Sequence, residues 1–118
     1  MATPAYVETI AGHRAFIHTW TITTADHTGA VVDLAGRGFL AVQFHDMSSS
    51  WGSATAAVEG SIDGTLYFAL KNRGGSTVEA TDDALFDIDT PIRYLRPRLT
   101  TVGTAASVVV SVISKSVY

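Results

Sequence analysis

Short runs of alternating apolar and polar residues recur along the whole chain, and Gly, Asp, Asn or Ser bound most of them. Two of these runs place side chains on one strand face, at Phe16, His18, Trp20 and Ile22 in the first and at Leu40, Val42 and Phe44 in the second. Strand side chains alternate with a period of two, so this pattern predicts β-strands with one buried face. Helical periodicity is hard to find, and we predict a nearly all-β domain.

The runs follow one another at the spacing that is typical of a β-sandwich or a small barrel. A chain of 118 residues has the length of one domain. We therefore predict a single-domain antiparallel β-sandwich, jelly-roll-like, of about nine strands. Residues 1–12 are expected to form an N-terminal arm or an edge strand, and residues 13–118 the sandwich itself.

The segment VEGSIDGTLYFAL, residues 58–70, predicts two strands joined by a hairpin. Its Asp63-Gly64 step is typical of a tight two-residue turn, because glycine readily adopts the positive φ that such a turn needs. Further along, Pro97 has no amide hydrogen to donate, which predicts an edge position or a bulge for its strand. The last strand presents Val108, Val110 and Val112 on one face and would aggregate if exposed, so we expect it in mid-sheet or in a subunit interface.

Composition excludes several classes of function. The chain is 47% hydrophobic and 16% charged, with a formal net charge of −3, whereas a nucleic-acid binder needs a basic excess for its phosphate contacts. It contains no cysteine, which excludes disulfides and thiolate metal sites. No cationic leader precedes an apolar run, and no apolar run has the length of a membrane span. We expect a soluble protein without a signal peptide, bound neither to nucleic acid nor to a membrane.

Four histidines and the aspartates beside two of them are the obvious places to look for a metal ion or a general base: His13, His18, His27, His45, Asp26 and Asp46. They show no His-x-His pair and no zinc-type spacing, so surface or rim histidines are expected. The acidic run TDDALFDIDT carries Asp82, Asp83, Asp87 and Asp89. It lacks the glycine and the acidic alternation of a calcium loop, which favours a solvated acidic loop whose Leu85, Phe86 and Ile88 anchor it to the core. We expect neither a metal nor a cofactor.

The densest positive cluster contains Arg93, Arg96 and Arg98. Arginine pairs well with carboxylates, so we expect these residues to meet the acidic run, either within the chain or on an adjacent subunit. Trp51 follows a serine-rich loop and has two interpretations. With Tyr67 or Tyr94 it would form a platform for a sugar ring, or it packs over the end of the sandwich. No nucleophile elbow, phosphate loop, dinucleotide fingerprint or zinc-protease motif occurs, and we expect no enzymatic activity.

Most of the chain resembles a group of small structural proteins of tailed-bacteriophage virions. The shared elements are a TW strand, a DxTGA step, a VQ strand, an EGSxDGT hairpin, an aromatic-aliphatic strand, an RxxRPxLT strand and a final strand that alternates Val and Ser. In this sequence they lie at residues 19–20, 26–30, 42–43, 59–65, 66–70, 93–100 and 107–113.

This resemblance implies a decoration, or cement, protein on the exterior of the phage capsid, made in the host cytoplasm. Its partners would be the major capsid protein lattice and copies of itself, as a homotrimer over capsid contact points, without a nucleic acid or a membrane. Tyr6, Val7 and Ile10 would contact a neighbour through the N-terminal arm. Arg93, Arg96 and Arg98 would form ion pairs between subunits. Two alternatives remain open: a tail or head-fibre component, and a carbohydrate-binding adhesion module that uses Trp51.

Overall fold

The computed structural model describes residues 3–12, 15–35, 37–47, 51–88, 92–104 and 106–115. These residues form ten β-strands and one short 3-10 turn, Trp51–Ser53. The strands are β1 Val7–Gly12, β2 Ala15–Thr23, β3 Val32–Asp33, β4 Gly38–Asp46, β5 Thr55–Ser61, β6 Phe68–Ala69, β7 Glu79–Ala80, β8 Ala84–Ile88, β9 Tyr94–Thr101 and β10 Ser107–Lys115. The all-β prediction is confirmed, and the count is ten where about nine were predicted, because two-residue strands leave no alternation in the sequence.

Two antiparallel sheets pack into a sandwich. The first sheet has the strand order β1-β2-β10-β4-β8, and the second has the order β3-β9-β5-β6, with β7 also paired to β5. The predicted alternation is confirmed, since Trp20 and Ile22 of β2 and Val42 and Phe44 of β4 are buried while their neighbours in sequence are more exposed. Each fully buried aliphatic or aromatic side chain of this kind stabilises the fold by about 1.5–3 kcal/mol.

The C-terminal strand β10 lies in the middle of the first sheet, between β2 and β4. Val108, Val110 and Val112 are fully buried against the second sheet. Both of its edges are hydrogen-bonded, so this β-prone sequence offers no free edge to another chain. The prediction of a mid-sheet position is confirmed.

Pro97 does not lie at an edge, which corrects the prediction. Its strand β9 is interior, between β3 and β5, and Pro97 is opposite Val58 of β5. The carbonyl of Pro97 accepts a hydrogen bond from the Gly29 amide at 2.9 Å, so the ring nitrogen also points to the β3 side. The two-residue β3 pairs with β9 only at Tyr94 and Leu95, so the missing amide hydrogen costs no ladder bond there.

The predicted hairpin exists, but its turn is longer than two residues. β5 and β6 pair through Glu59 with Ala69 and through Gly60 with Phe68, and residues 62–67 connect them. Gly64 has a φ of 79°, as the Asp-Gly step predicted. The connection has more than two residues because β5 and β6 are not paired up to the turn. β5 continues to Ser61, which pairs with Tyr94 of β9, whereas β6 begins only at Phe68.

Candidate functional site

An apolar groove of about 400 Å³ opens beside the β5–β6 connection. Its rim carries three of the most exposed large apolar side chains described, Ile62 at 80%, Phe68 at 67% and Leu66 at 61%. Its other lining residues are Gly60, Ser61, Asp63, Ala69, Leu70 and Ile92. Large apolar side chains grouped around a concavity are typical of a contact surface for another molecule.

The turn that presents this rim is held by Asp63. Its Oδ1 accepts hydrogen bonds from the amides of Thr65 at 2.8 Å and Leu66 at 3.0 Å, and from the hydroxyl of Ser61 at 3.0 Å. The Ser61 hydroxyl also accepts the Gly64 amide at 2.9 Å. The Thr65 and Leu66 amides, followed by the Ser61 hydroxyl, lower the pKa of Asp63. The rim is thus carried by an ordered turn, and its carboxylate is already engaged by the backbone.

The floor of the groove depends on a glycine. A Cβ built on Gly60 would lie 2.8 Å from side-chain carbons of both Ile92 and Leu70. Because only glycine leaves room for this approach, Ile92 and Leu70 close the floor directly over the β5 backbone. The groove is therefore apolar and preformed.

The three predicted arginines lie on the outer face of the second sheet, and they do not pair with the acidic run. Arg93 forms an ion pair with Asp33 at 3.2 Å, while Arg96 and Arg98 share Glu59, at 3.0 and 3.2 Å. The hydrogen bond from Arg93 lowers the pKa of Asp33. The register explains the pairing, since Glu59 is directly opposite Arg96 on the neighbouring strand. A role for these arginines between subunits stays a prediction.

The guanidinium of Arg96 also lies over the ring of Tyr67, 4.0 Å from its centroid. That contact places a cation–π pair beside the groove, on the outer side of the same sheet. Arg93 makes the same kind of contact with Tyr94, at 5.0 Å. The arginine cluster is thus held in place by both carboxylates and aromatic rings.

Trp51 is buried, with 4% of its surface exposed. Its indole Nε1 donates a hydrogen bond to Oδ1 of Asp83 at 2.9 Å. A sugar platform needs an open aromatic face. The structure therefore favours the interpretation that Trp51 packs over the end of the sandwich, and it offers no ring face there for a glycan.

The acidic run is only in part a solvated loop. Asp83 accepts hydrogen bonds from Trp51, from the ring of His45 at 2.7 Å and from the Asp46 amide at 3.1 Å. The Trp51 bond, followed by those from His45 and Asp46, lowers the pKa of Asp83 to about 2. The predicted anchors also divide, since Ile88 is buried whereas Leu85 is 71% exposed. Leu85 faces outward because it is opposite Gln43 on the outer side of the first sheet.

The expectation of surface histidines is wrong for His18, which is fully buried. Its Nε2 donates a hydrogen bond to the Glu8 carboxylate at 2.7 Å. His27 is partly buried and His45 is exposed. No group of three or more His, Asp or Glu side chains comes together as a metal site within the described ranges. His13, Asp89 and the serine-rich loop before Trp51, residues 48–50, lie outside these ranges.

The N-terminal segment forms β1, the edge strand of the chain's own first sheet. Tyr6, Val7 and Ile10 are 36%, 66% and 72% exposed, so the predicted contact residues are accessible. The ring of Tyr6 packs edge-on against His18 and Trp20, with centroids 5.1 and 5.7 Å apart. The described part of the chain contains no helix with the length and apolarity that a membrane crossing requires.

The groove was not predicted from the sequence, because the pattern of residues 58–70 indicates a hairpin and no binding motif. One feature of the sequence does indicate a surface of this kind. Ile62 and Leu66 flank Asp63-Gly64 at positions where a turn is normally polar. Two apolar residues in a turn have no core to enter. They therefore point to a contact surface.

Comparisons with known proteins show the fold. No protein-family model matches the chain, and no curated protein matches it. The structure is similar to the SPBc2 prophage-derived protein YomS, with 13% identity and a TM-score of 0.60 over 92% of this chain and 100% of that one. It is similar to the PBSX exported protein XepA, with 11% identity and a TM-score of 0.60 over 91% of this chain and 40% of that one.

A third similar structure is a family 89 glycoside hydrolase from Clostridium perfringens, with 15% identity and a TM-score of 0.53. The match covers 85% of this chain but only 12% of the hydrolase. At these identities the likeness concerns the sandwich fold, and this chain corresponds to a small part of the enzyme. The similarity to the prophage-derived protein YomS covers 92% of this chain and all of that one, and it concerns the fold.

Proposed function

We propose that the chain is a structural component of a tailed-phage particle, a decoration protein that binds the exterior of the capsid through the groove beside Asp63. Two lines of support are independent of each other. The sequence elements resemble small virion structural proteins, and the fold is similar to that of the prophage-derived protein YomS.

The observation that carries the proposal is the exposed apolar rim on an ordered turn. Ile62, Leu66 and Phe68 would each contribute about 1–2 kcal/mol if a partner buried the surface that they still expose. The hydrogen bonds to Asp63 fix the turn before binding, so little conformational entropy is lost when a partner covers it. A few anchoring side chains of this kind normally supply most of the binding free energy of an interface.

Binding of this type stabilises a shell by mass action. A protein that binds the assembled lattice and not the separated subunits shifts the equilibrium toward the intact shell. Modest affinity at each site is sufficient when many copies bind. We propose further contacts with neighbouring molecules through Tyr6, Val7 and Ile10, at and just before the edge strand β1, and through Arg93, Arg96 and Arg98, at and just before β9.

We propose no catalytic step for the groove. Its carboxylate, Asp63, already accepts three hydrogen bonds from the turn, and these lower its pKa. A carboxylate held in that state is poorly suited to carry a proton in general acid–base catalysis near neutral pH. Because Trp51 is buried, no observation favours a sugar-binding role over a protein contact.

The test is co-sedimentation with DNA-free shells that lack this protein. Wild-type chain should pellet with the shells and raise their disruption temperature. The double variant Ile62→Ser, Phe68→Ser should lose most of this binding. Met47→Ser, which changes an exposed apolar side chain that does not line the groove, should bind normally. Absence of wild-type binding, or equal binding by the double variant, would overturn the proposal.

The copy number of the protein in the virion distinguishes a location on the head from a location on the tail. Quantification of the protein in purified virions should give hundreds of copies for a coat on an icosahedral head. A handful of copies, with immunogold label on the tail, would assign the chain to the tail instead.

A further inference from the structure

The outer face of the first sheet, which we call the neutral face, is formed by the side chains that point away from the core. The buried residues His18, Trp20, Val42, Phe44, Val110 and Val112 fix the orientation of their neighbours, because side chains alternate along each strand. The neutral face therefore contains Val7 and Thr9 of β1, Ile17, Thr19 and Thr21 of β2, Val109, Ser111 and Ile113 of β10, Ala41, Gln43 and His45 of β4, and Leu85 and Asp87 of β8.

This face carries almost no charge. Its ionisable side chains lie at the margins, with Asp87 and the ion pair of His45 and Asp83 on one side and Lys115 at the end of β10. The outer face of the second sheet differs, since Arg96, Arg98 and Glu59 form ion pairs there. The neutral face can therefore meet a second neutral surface with little burial of charge.

The neutral face also exposes large apolar side chains. Leu85 is 71% exposed, Val7 66% and Ile113 38%. Between the strands lies a hollow of about 200 Å³, which is lined by Ile17, Ala41, Gln43, Leu85, Ser111 and Ile113. A flat or slightly hollow sheet face of this composition is suited to face-to-face sheet packing.

The strand order makes this face complementary to itself. β10 is the central strand, with β2 and β1 on one side and β4 and β8 on the other. A two-fold axis parallel to β10 places β2 of one copy over β4 of the other, and β1 over β8. One row across the sheet reads Val7, Thr19, Ser111, Gln43 and Leu85. The axis therefore sets apolar Val7 against Leu85 of the second copy.

The same axis sets the uncharged Thr19 against Gln43, where the two side chains can form a hydrogen bond. The adjacent row matches equally well, because Ile17 meets Ala41 of the second copy and Thr9 meets Asp87. No like charges meet in either row. Sheet twist rotates two packed sheets by about 30°, so the correspondence is closest near β10.

We propose that a second copy of this chain covers the neutral face, giving a two-fold dimer with β10 of each copy at its centre. Strands spaced about 4.8 Å apart with a rise of about 3.4 Å per residue give this face a projected area of roughly 400 Å². Two copies therefore bury roughly 800 Å² in total, which is in the range of weak, transient interfaces, and we expect a dissociation constant in the micromolar range. Such an interface is closed and isologous, and produces dimers and not trimers.

The test uses the full chain in sedimentation-velocity runs from about 1 to 100 μM. Wild-type protein should shift from monomer to dimer over this range. Ile113→Lys places like charges close to the axis and should raise the dissociation constant at least tenfold. Ile62→Lys, an equivalent change at the groove, should leave it unchanged. Circular dichroism should show that both variants fold, since both side chains are exposed.

A charge pair tests the orientation of the two copies. Thr19→Lys alone should weaken the dimer, and Thr19→Lys combined with Gln43→Glu should restore it, because those positions face each other only between copies. A monomer at all concentrations, a trimer, unchanged affinity in Ile113→Lys, or failure of the double variant to restore pairing would each overturn the proposal. The measurement needs no capsid, so its outcome is independent of the groove test.

Discussion

The indole of Trp51 and the carboxylate of Asp83 join two distant segments through a hydrogen bond of 2.9 Å. The same carboxylate accepts the Asp46 amide at the end of β4 and the ring of His45. A single side chain thus connects the start of β8, the end of β4 and the turn at Trp51. We infer that the hydrogen bonds to Asp83 are the main polar interactions that hold these segments together at this end of the sandwich.

Replacing Asp83 with alanine should destabilise the fold, because it leaves the buried indole Nε1 of Trp51 without an acceptor. We expect the melting temperature to fall by about 5 °C or more. Glu79→Ala is the matched control, since Glu79 is an exposed acid on β7 for which no ion pair is described. Calorimetry of the three proteins checks this. Equal melting temperatures for wild type and Asp83→Ala would contradict it.

Acid should weaken the stabilisation that the Asp83 carboxylate provides. The pKa of Asp83 is lowered from 3.8 to about 2, so its carboxylate stabilises the folded state fully above about pH 4. That contribution is lost progressively as the pH falls from about 4 to about 2, because the carboxyl of the unfolded chain takes up a proton before that of the folded chain does. The melting temperatures of wild type and Asp83→Asn should differ clearly at pH 5 and converge near pH 2. A difference that stays constant or grows in acid would contradict this expectation.

The sequence predicted the sandwich because its main strands are long and alternate regularly. β2, β4 and β10 each have nine residues, which is enough for period-two alternation to stand out. β3, β6 and β7 have two residues each, and no pattern can appear over that length. The central position of β10 followed from its composition, since an exposed Val-rich edge would aggregate.

The contacts between side chains were harder to predict, because they depend on register. Arg96 was expected to meet the acidic run, but it is opposite Glu59 across the β5–β9 pair. His18 was expected at the surface, but its strand position placed it inward, where Glu8 supplies an acceptor. The alternation of β2 places His18 on the buried face, and here it is a better guide than the general preference of histidine for the surface.

The pair of Glu8 and His18 should hold the edge strand β1 to the sheet. Glu8→Ala removes the acceptor of a fully buried imidazole, a loss of about 1–3 kcal/mol for such a group. We expect amide hydrogen exchange in β1 to accelerate at least tenfold while β10 stays protected. Glu8→Gln keeps an acceptor oxygen and should have a smaller effect. Unchanged exchange in β1 of Glu8→Ala would show that the strand is held by its backbone bonds alone.

The turn at Trp51 is strained, and its glycine should be intolerant of change. Trp51, Gly52 and Ser53 all have positive φ, at 58°, 51° and 65°. A Cβ on Gly52 would lie 1.9 Å from the carbonyl oxygen of Thr104, whose amide donates to the Gly52 carbonyl at 2.8 Å. Both partners are backbone groups, so neither Gly52 nor Thr104 can move away without breaking the hydrogen bond between them.

Gly52→Ala should therefore lower the free energy of unfolding by about 2–4 kcal/mol, as for other substitutions at strained, tightly packed backbone. Gly38→Ala is the control, since a Cβ there meets no atom within 4 Å and the residue lies in β4. That variant should be within about 0.5 kcal/mol of wild type or more stable, because alanine loses less backbone entropy than glycine. Urea unfolding of both variants measures the difference. Equal losses of unfolding free energy in the two variants would mean that the close approach of Thr104 to Gly52 does not exclude a side chain at position 52.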